Sequence, residues 1–151
     1  VTASRAVAEA LKIAVGDAVQ KAVRVRSTKE GPLSHITTYV PADIARQFGR
    51  RELARKPILV LLEESGVMVG RAHQTISAKL ADAVVARHLD VSVGSALLAV
   101  RRLIYDDQER PVQWLHGLYR PDRYEYEMQL SRVGSIDAKV WVSKELSAQF
   151  H

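Results

Sequence analysis

Between Leu97 and Arg132 the chain reads LLAVRRLIYDDQERPVQWLHGLYRPDRYEYEMQLSR, and this alternation constrains the fold more than any other stretch. Side chains along a strand point to opposite faces in turn. Leu97, Ala99, Arg101, Leu103 and Tyr105 therefore share one face of a first strand, and Leu98, Val100, Arg102 and Ile104 share the other. Both faces are mostly apolar, which places this strand inside a sheet. Asp106 to Arg110 is a polar turn, and Pro111 permits re-entry at the start of a second strand, Val112 to Arg120. Pro121-Asp122-Arg123 turns the chain again, and Tyr124 to Arg132 alternates as a third strand. Its Tyr124, Tyr126, Met128 and Leu130 are expected inward, with Glu125, Glu127 and Gln129 in water. Connections this short join strands only antiparallel.

The preceding residues add helices and a hairpin. Thr2 or Ser4 can cap a helix over Ala3 to Lys12, with Ala6, Val7, Ala10 and Leu11 on one side. Ala18 to Ser27 is a strand with Val19, Val23 and Val25 on one face and Gln20, Ala22, Arg24 and Arg26 on the other. Lys29-Glu30-Gly31 turns it into a partner strand, Leu33 to Val40. Pro41 opens a helix through Phe48, closed by Gly49, and Arg50, Arg51, Arg55 and Lys56 form a basic connector. Pro57 opens the apolar helix ILVLLEES. Val67 to Ser77 is a strand, and Ala78 to His88 an amphipathic helix with Leu80, Val84, Val85 and Leu89 inward. Beyond Arg132, DAKVWV suits a strand and SKELSAQF a terminal helix. The pattern is α+β: an antiparallel sheet of about six strands with helices packed against it.

At 151 residues the chain fits one domain and can bury a core without staples. It has no cysteine, which excludes a disulfide framework and a thiolate metal site. No apolar run is long enough to span a bilayer and no signal-peptide pattern is present, so a cytoplasmic protein without membrane contact is expected. The net charge of +5 is dispersed rather than clustered, so this chain is not expected to hold nucleic acid by itself.

Two arginines, Arg24 and Arg26, project together from one strand face. Side by side they form an anion clamp, or else a solvated strand face with Asp or Glu nearby. Gln113 and Tyr119 share a face of another strand, with Gly117 between them where a ligand or a neighbouring backbone can come close. Tyr119 equally suits an ordinary core position with its hydroxyl satisfied. His35, His73, His88 and His116 form no His-x-x-x-His pair, so no metal site is expected; His35 and Thr75 join the candidate ligand-binding residues. Trp114 and Trp141 suit packing or an interface, and Asp106, Asp107, Glu109 and Asp122 lie in turns, so no catalytic carboxylate is expected.

Three stretches carry a family resemblance: RVR…GPLSHITTYVP, GRAHQTISAKLADAVVARHLDVSVGSALLAVRR, and YDD…RPVQ…YRPDRYEY…QLSR. In this order they resemble the UTRA effector domain of the HutC-like branch of GntR-type transcriptional regulators. The likeness spans residues 3 to 132, with 133 to 151 as an extension of the same domain. It implies a chorismate-lyase-like topology, a small-molecule effector and no cofactor. It also implies a homodimer and DNA binding only through a winged helix-turn-helix domain ahead of this one, so the chain is expected to be a fragment or a truncated relative. The family's pocket arginines match Arg24 and Arg26, and its pocket tyrosine matches Tyr119. Gln113 stands where relatives often carry glutamate, Ile36 replaces another glutamate, and Pro57-Ile58-Leu59 replaces the SLY of sugar-phosphate binders. These departures favour a less polar ligand with one carboxylate. The competing function is a chorismate-lyase-like enzyme acting on a small carboxylate.

Overall fold

The second strand of the alternating stretch occupies the middle of the sheet. The computed structural model describes residues 1–133 and 140–143. In chain order the elements are α1 (Arg5–Leu11), β1 (Val19–Thr28), β2 (Gly31–Pro41), α2 (Ala42–Ala45), α3 (Arg50–Arg55) and α4 (Ile58–Glu64). Then follow β3 (Val69–Leu80), α5 (Ala83–Leu89), β4 (Ala96–Asp106), β5 (Pro111–Tyr119), β6 (Leu130–Val133) and β7 (Val140–Ser143). Five strands pair antiparallel in the order β1-β2-β5-β4-β3, and β6 and β7 form a separate ribbon. The α+β class with an antiparallel sheet is the one the pattern predicts, and β4 is interior as expected.

Residues opposite one another in antiparallel pairs share a face, so the register sorts the side chains. One face carries the rows Ala22–Thr38–Leu115–Arg102–Gln74, Arg24–Ile36–Gly117–Val100–Ile76 and Arg26–Ser34–Tyr119–Leu98–Ala78. The other carries Lys21–Tyr39–Trp114–Leu103–His73, Val23–Thr37–His116–Arg101–Thr75 and Val25–His35–Leu118–Ala99–Ser77. The first is here called the arginine face and the second the histidine face. Ile44, Phe48, Leu53, Ile58, Leu61 and Leu62, from α2 to α4 and the turns between them, bury themselves on the arginine face against Val40 and Ile104. On the histidine face Val7 and Leu11 of α1 pack on Tyr39, Leu103 and Trp114, while Val85 and Leu89 of α5 pack on Leu97 and Leu118. Such burial is worth about 1.5–3 kcal/mol for each large side chain.

The third predicted strand does not form. Tyr124 to Gln129 has no strand pairing, and only Leu130 to Val133 enters a ladder, with β7. Both edges of β5 are already taken by β2 and β4, so no backbone donor is left for a new neighbour. The tyrosine alternation has another use: Tyr124 stacks on Tyr119 with ring centroids 4.3 Å apart, and the Tyr126 hydroxyl accepts from Gln74 Nε2 at 3.2 Å. Met128 and Leu130, expected inward, are exposed.

Helix boundaries also moved. Ala78 to Leu80 continues β3, and α5 starts after Asp82, whose Oδ1 accepts the Val85 amide at 2.8 Å. Leu80 and Val84 are exposed rather than inward; Val85 and Leu89 are buried as predicted. In α1, capped by Ser4, Ala8 is buried and Ala6 is not. The helix after Pro41 stops at Ala45, and Pro41 itself ends β2. The basic connector is helical over α3: Glu52 accepts the Gly49 amide at 3.0 Å and Leu53 anchors the turn in the core. Part of DAKVWV lies in β7, which also takes Ser143, the first residue of SKELSAQF; the rest of that segment falls outside the described residues. Trp114 sits on the central strand beneath α1, not on an apolar sheet edge. Among the described residues no helix is long and apolar enough to cross a membrane.

Candidate functional site

Arg24 and Arg26 emerge on the arginine face two residues apart, as strand periodicity requires. Arg24 is half-buried, and its Nη1 donates to the Leu53 carbonyl at 2.9 Å, which fixes the guanidinium against the end of α3. Burial, and then the charge of Arg26, hold its pKa below the ordinary guanidinium value. A groove of about 450 Å³ runs beside it, lined by Gln20, Ala22, Arg50 and Leu53 among others.

Tyr119 and Gln113 come from β5 on the same face. The Tyr119 ring lies across Gly117: a Cβ at that glycine would meet its Cε2 at 2.8 Å. The close approach predicted at Gly117 is thus made by Tyr119 itself. Burial, and then the neighbouring Tyr124, push the Tyr119 phenol up to about 12. Gln113 is fully buried, yet neither amide atom has a hydrogen-bond partner among the described residues. The Ser34 hydroxyl, opposite both Arg26 and Tyr119, is in the same state. Leaving such groups unpaired costs about 1–3 kcal/mol each, which makes this face a candidate for a polar ligand or bound water.

Arg102 belongs to this face as well, and the sequence reading passed over it. It is buried, its Nε donates to Gln74 Oε1 at 2.8 Å, and burial lowers its pKa. The signal was present: a guanidinium between Val100 and Ile104 on an apolar strand face requires a partner. The paired rows of this face carry no Asp or Glu among the described residues. Three guanidiniums beside buried neutral acceptors and donors suit an anion with a less polar body.

The six candidate residues do not form one constellation. Arg24, Arg26, Gln113 and Tyr119 share the arginine face. His35 and Thr75 lie on the histidine face, because their registers place them opposite Leu118 and Arg101. His35 stacks on His88 of α5 with centroids 5.2 Å apart, and Thr75 is exposed on an edge strand.

The family model of the UTRA domain matches residues 1–125. The chain belongs to the UTRA domain family. Solved structures agree. The ligand-binding domain of a GntR-family transcriptional regulator from Bordetella bronchiseptica is 30% identical, with a TM-score of 0.80 over 87% of this chain and 83% of that one. A transcriptional regulator from Streptomyces coelicolor is 29% identical, with a TM-score of 0.81 over 85% of each chain. The effector domain of PhnF from Mycobacterium smegmatis is 26% identical, with a TM-score of 0.73 over 82% of this chain and 76% of that one. This UTRA domain is therefore similar to regulatory ligand-binding domains over most of its length.

Proposed function

We propose that this UTRA domain is the non-catalytic effector sensor of a cytoplasmic GntR-type regulator of the HutC branch. Its ligand is a small metabolite with a carboxylate. The observation that carries this reading is the arginine face: Arg24, Arg26 and Arg102 project from the same side of the sheet as a fully buried Gln113 whose amide has no partner among the described residues. Arg24 and Arg26 hold the carboxylate, Gln113 and Tyr119 give neutral polar contacts, and Ile36 covers an apolar body. His35 and Thr75 lie on the opposite face of the sheet and do not line this site. Binding shifts the domain between two arrangements, and ~1–3 kcal/mol of differential affinity is enough to alter DNA binding by a winged helix-turn-helix domain joined ahead of it. A chorismate-lyase-like reaction needs a buried acid, and Ile36 and Gln113 supply none.

Calorimetry of small aromatic and aliphatic carboxylates, set beside sugar phosphates, tests the assignment. Arg24→Ala should weaken carboxylate binding by ~1.5–3 kcal/mol while lowering the ligand-free melting temperature little. Arg26→Lys should weaken it too, since a point charge does not replace the planar fork. Preference for a sugar phosphate, undiminished affinity in both variants, or steady pyruvate release from chorismate would each overturn the reading.

The regulator acts as a homodimer, as two-fold DNA targets require. β3 suits the contact: it is an edge strand, twelve residues long, with Ile76 and Leu80 exposed. A monomer in sedimentation at roughly tens of micromolar would refute stable association.

A further inference from the structure

On the histidine face, the sheet between α1 and α5 is left open as a cavity of about 330 Å³. That volume lies in the range of small-molecule sites. Lys21 of β1, Lys79 of β3 and Arg101 of β4 line it, and no Asp or Glu does. None of the three cations joins an ion pair among the described residues; the pairs there are Lys56–Glu64, Arg71–Glu109, Arg110–Asp43 and Arg120–Asp122. Lys21 rests over the Tyr39 ring, 5.9 Å from its centroid. Lys79 and Arg101, on adjacent strands, both act on the ring of His116, and an anion held between them offsets their mutual repulsion.

His116 forms part of the floor, in the same row as Arg101. Its Nε2 is buried and has no hydrogen-bond partner among the described residues. Burial, then Arg101 and Lys79, drive the imidazole down to about 4, so it is neutral at neutral pH and can offer one N–H. The Ser77 hydroxyl adds another donor to the lining.

We propose that this cleft is a second ligand site, on the opposite side of the sheet from the arginine face, which takes a small phosphate monoester. Lys79 and Arg101 hold the dianion, and the His116 ring lies in the lining beneath it. Two cations from neighbouring strands match the two charges of a phosphate monoester. A single carboxylate would leave one of the two positive charges uncompensated. This site stands independently of the carboxylate assignment on the arginine face.

The test is an NMR titration of the His116 ring protons with glycerol 3-phosphate, with inorganic phosphate and acetate alongside. Both phosphates should give saturable shifts and acetate none. The exposed pair Lys79→Ala/Arg101→Ala should weaken phosphate binding by at least about tenfold, while Arg24→Ala leaves it unchanged. Absence of a saturable shift below roughly 10 mM, or equal binding by the double variant, overturns the site. Loss of the phosphate response in Arg24→Ala overturns it too, because the anion would then sit on the arginine face. Failure here leaves the carboxylate calorimetry unaffected, so the two assignments fall separately.

Discussion

Gly117 matters for what it lacks. With no Cβ it admits the Tyr119 ring, which in turn receives Tyr124, and the stack covers part of the arginine face. Its neighbour His116 points the other way, and it gives the protein a pH dependence. The folded state binds the His116 proton only near pH 4, the unfolded chain near 6.5. Between those values the unfolded state holds more protons, so stability is complete above about 6.5 and declines as the pH falls toward 4. Melting temperatures measured from pH 7 to pH 4 should therefore drop more steeply for the native chain than for His116→Gln. Parallel slopes would show that His116 is not held neutral. Alternation alone put Arg24 with Arg26 and Gln113 with Tyr119. It could not show that His35 and Thr75 lie across the sheet from them, because which faces coincide depends on register between strands far apart in sequence.

Among the elements, those fixed by local chemistry were legible and those fixed by competition were not. The β1–β2 hairpin follows from its turn, and β4 and β5 from period-two burial on both faces. The α5 start was misjudged because Ala78 to Leu80 reads as helix by composition, while strand pairing with Leu98, Leu97 and Ala96 overrides propensity. Asp82 was the better signal, a capping carboxylate directly before an apolar run. Replacing it with alanine should cost about 0.5–2 kcal/mol, seen as a lower urea midpoint. Asp82→Asn should retain most of the stability, since asparagine also caps. An equal loss in both variants would mean that charge, not the cap, holds the helix. Tyr124 to Gln129 failed as a strand for a reason no single segment contains: the neighbouring edges were occupied by strands from elsewhere.

Over the whole molecule the sheet is two local units sewn along one line. The β1–β2 hairpin and the β3–β4–β5 unit, each paired within itself, are joined in the sheet where Ser34 to Tyr39 pairs with Trp114 to Tyr119. These partners lie on the order of 80 residues apart, so the seam closes after the β1–β2 and β4–β5 hairpins, whose loops are short. Both proposed ligand sites straddle it. Arg24 and Lys21 belong to the hairpin, while Gln113, Tyr119, Lys79 and Arg101 belong to the β3–β4–β5 unit. A bound molecule on either face thus fastens two folding units together and slows their parting. Amide hydrogen exchange at 34–39 and 114–119 should become slower with ligand present, while amides in the hairpin turn at 28–31 should keep their rate. A uniform slowing, or none, would contradict this. For the proposed sensor the result is a signal written in time as well as in shape: occupancy sets how long the two halves stay joined.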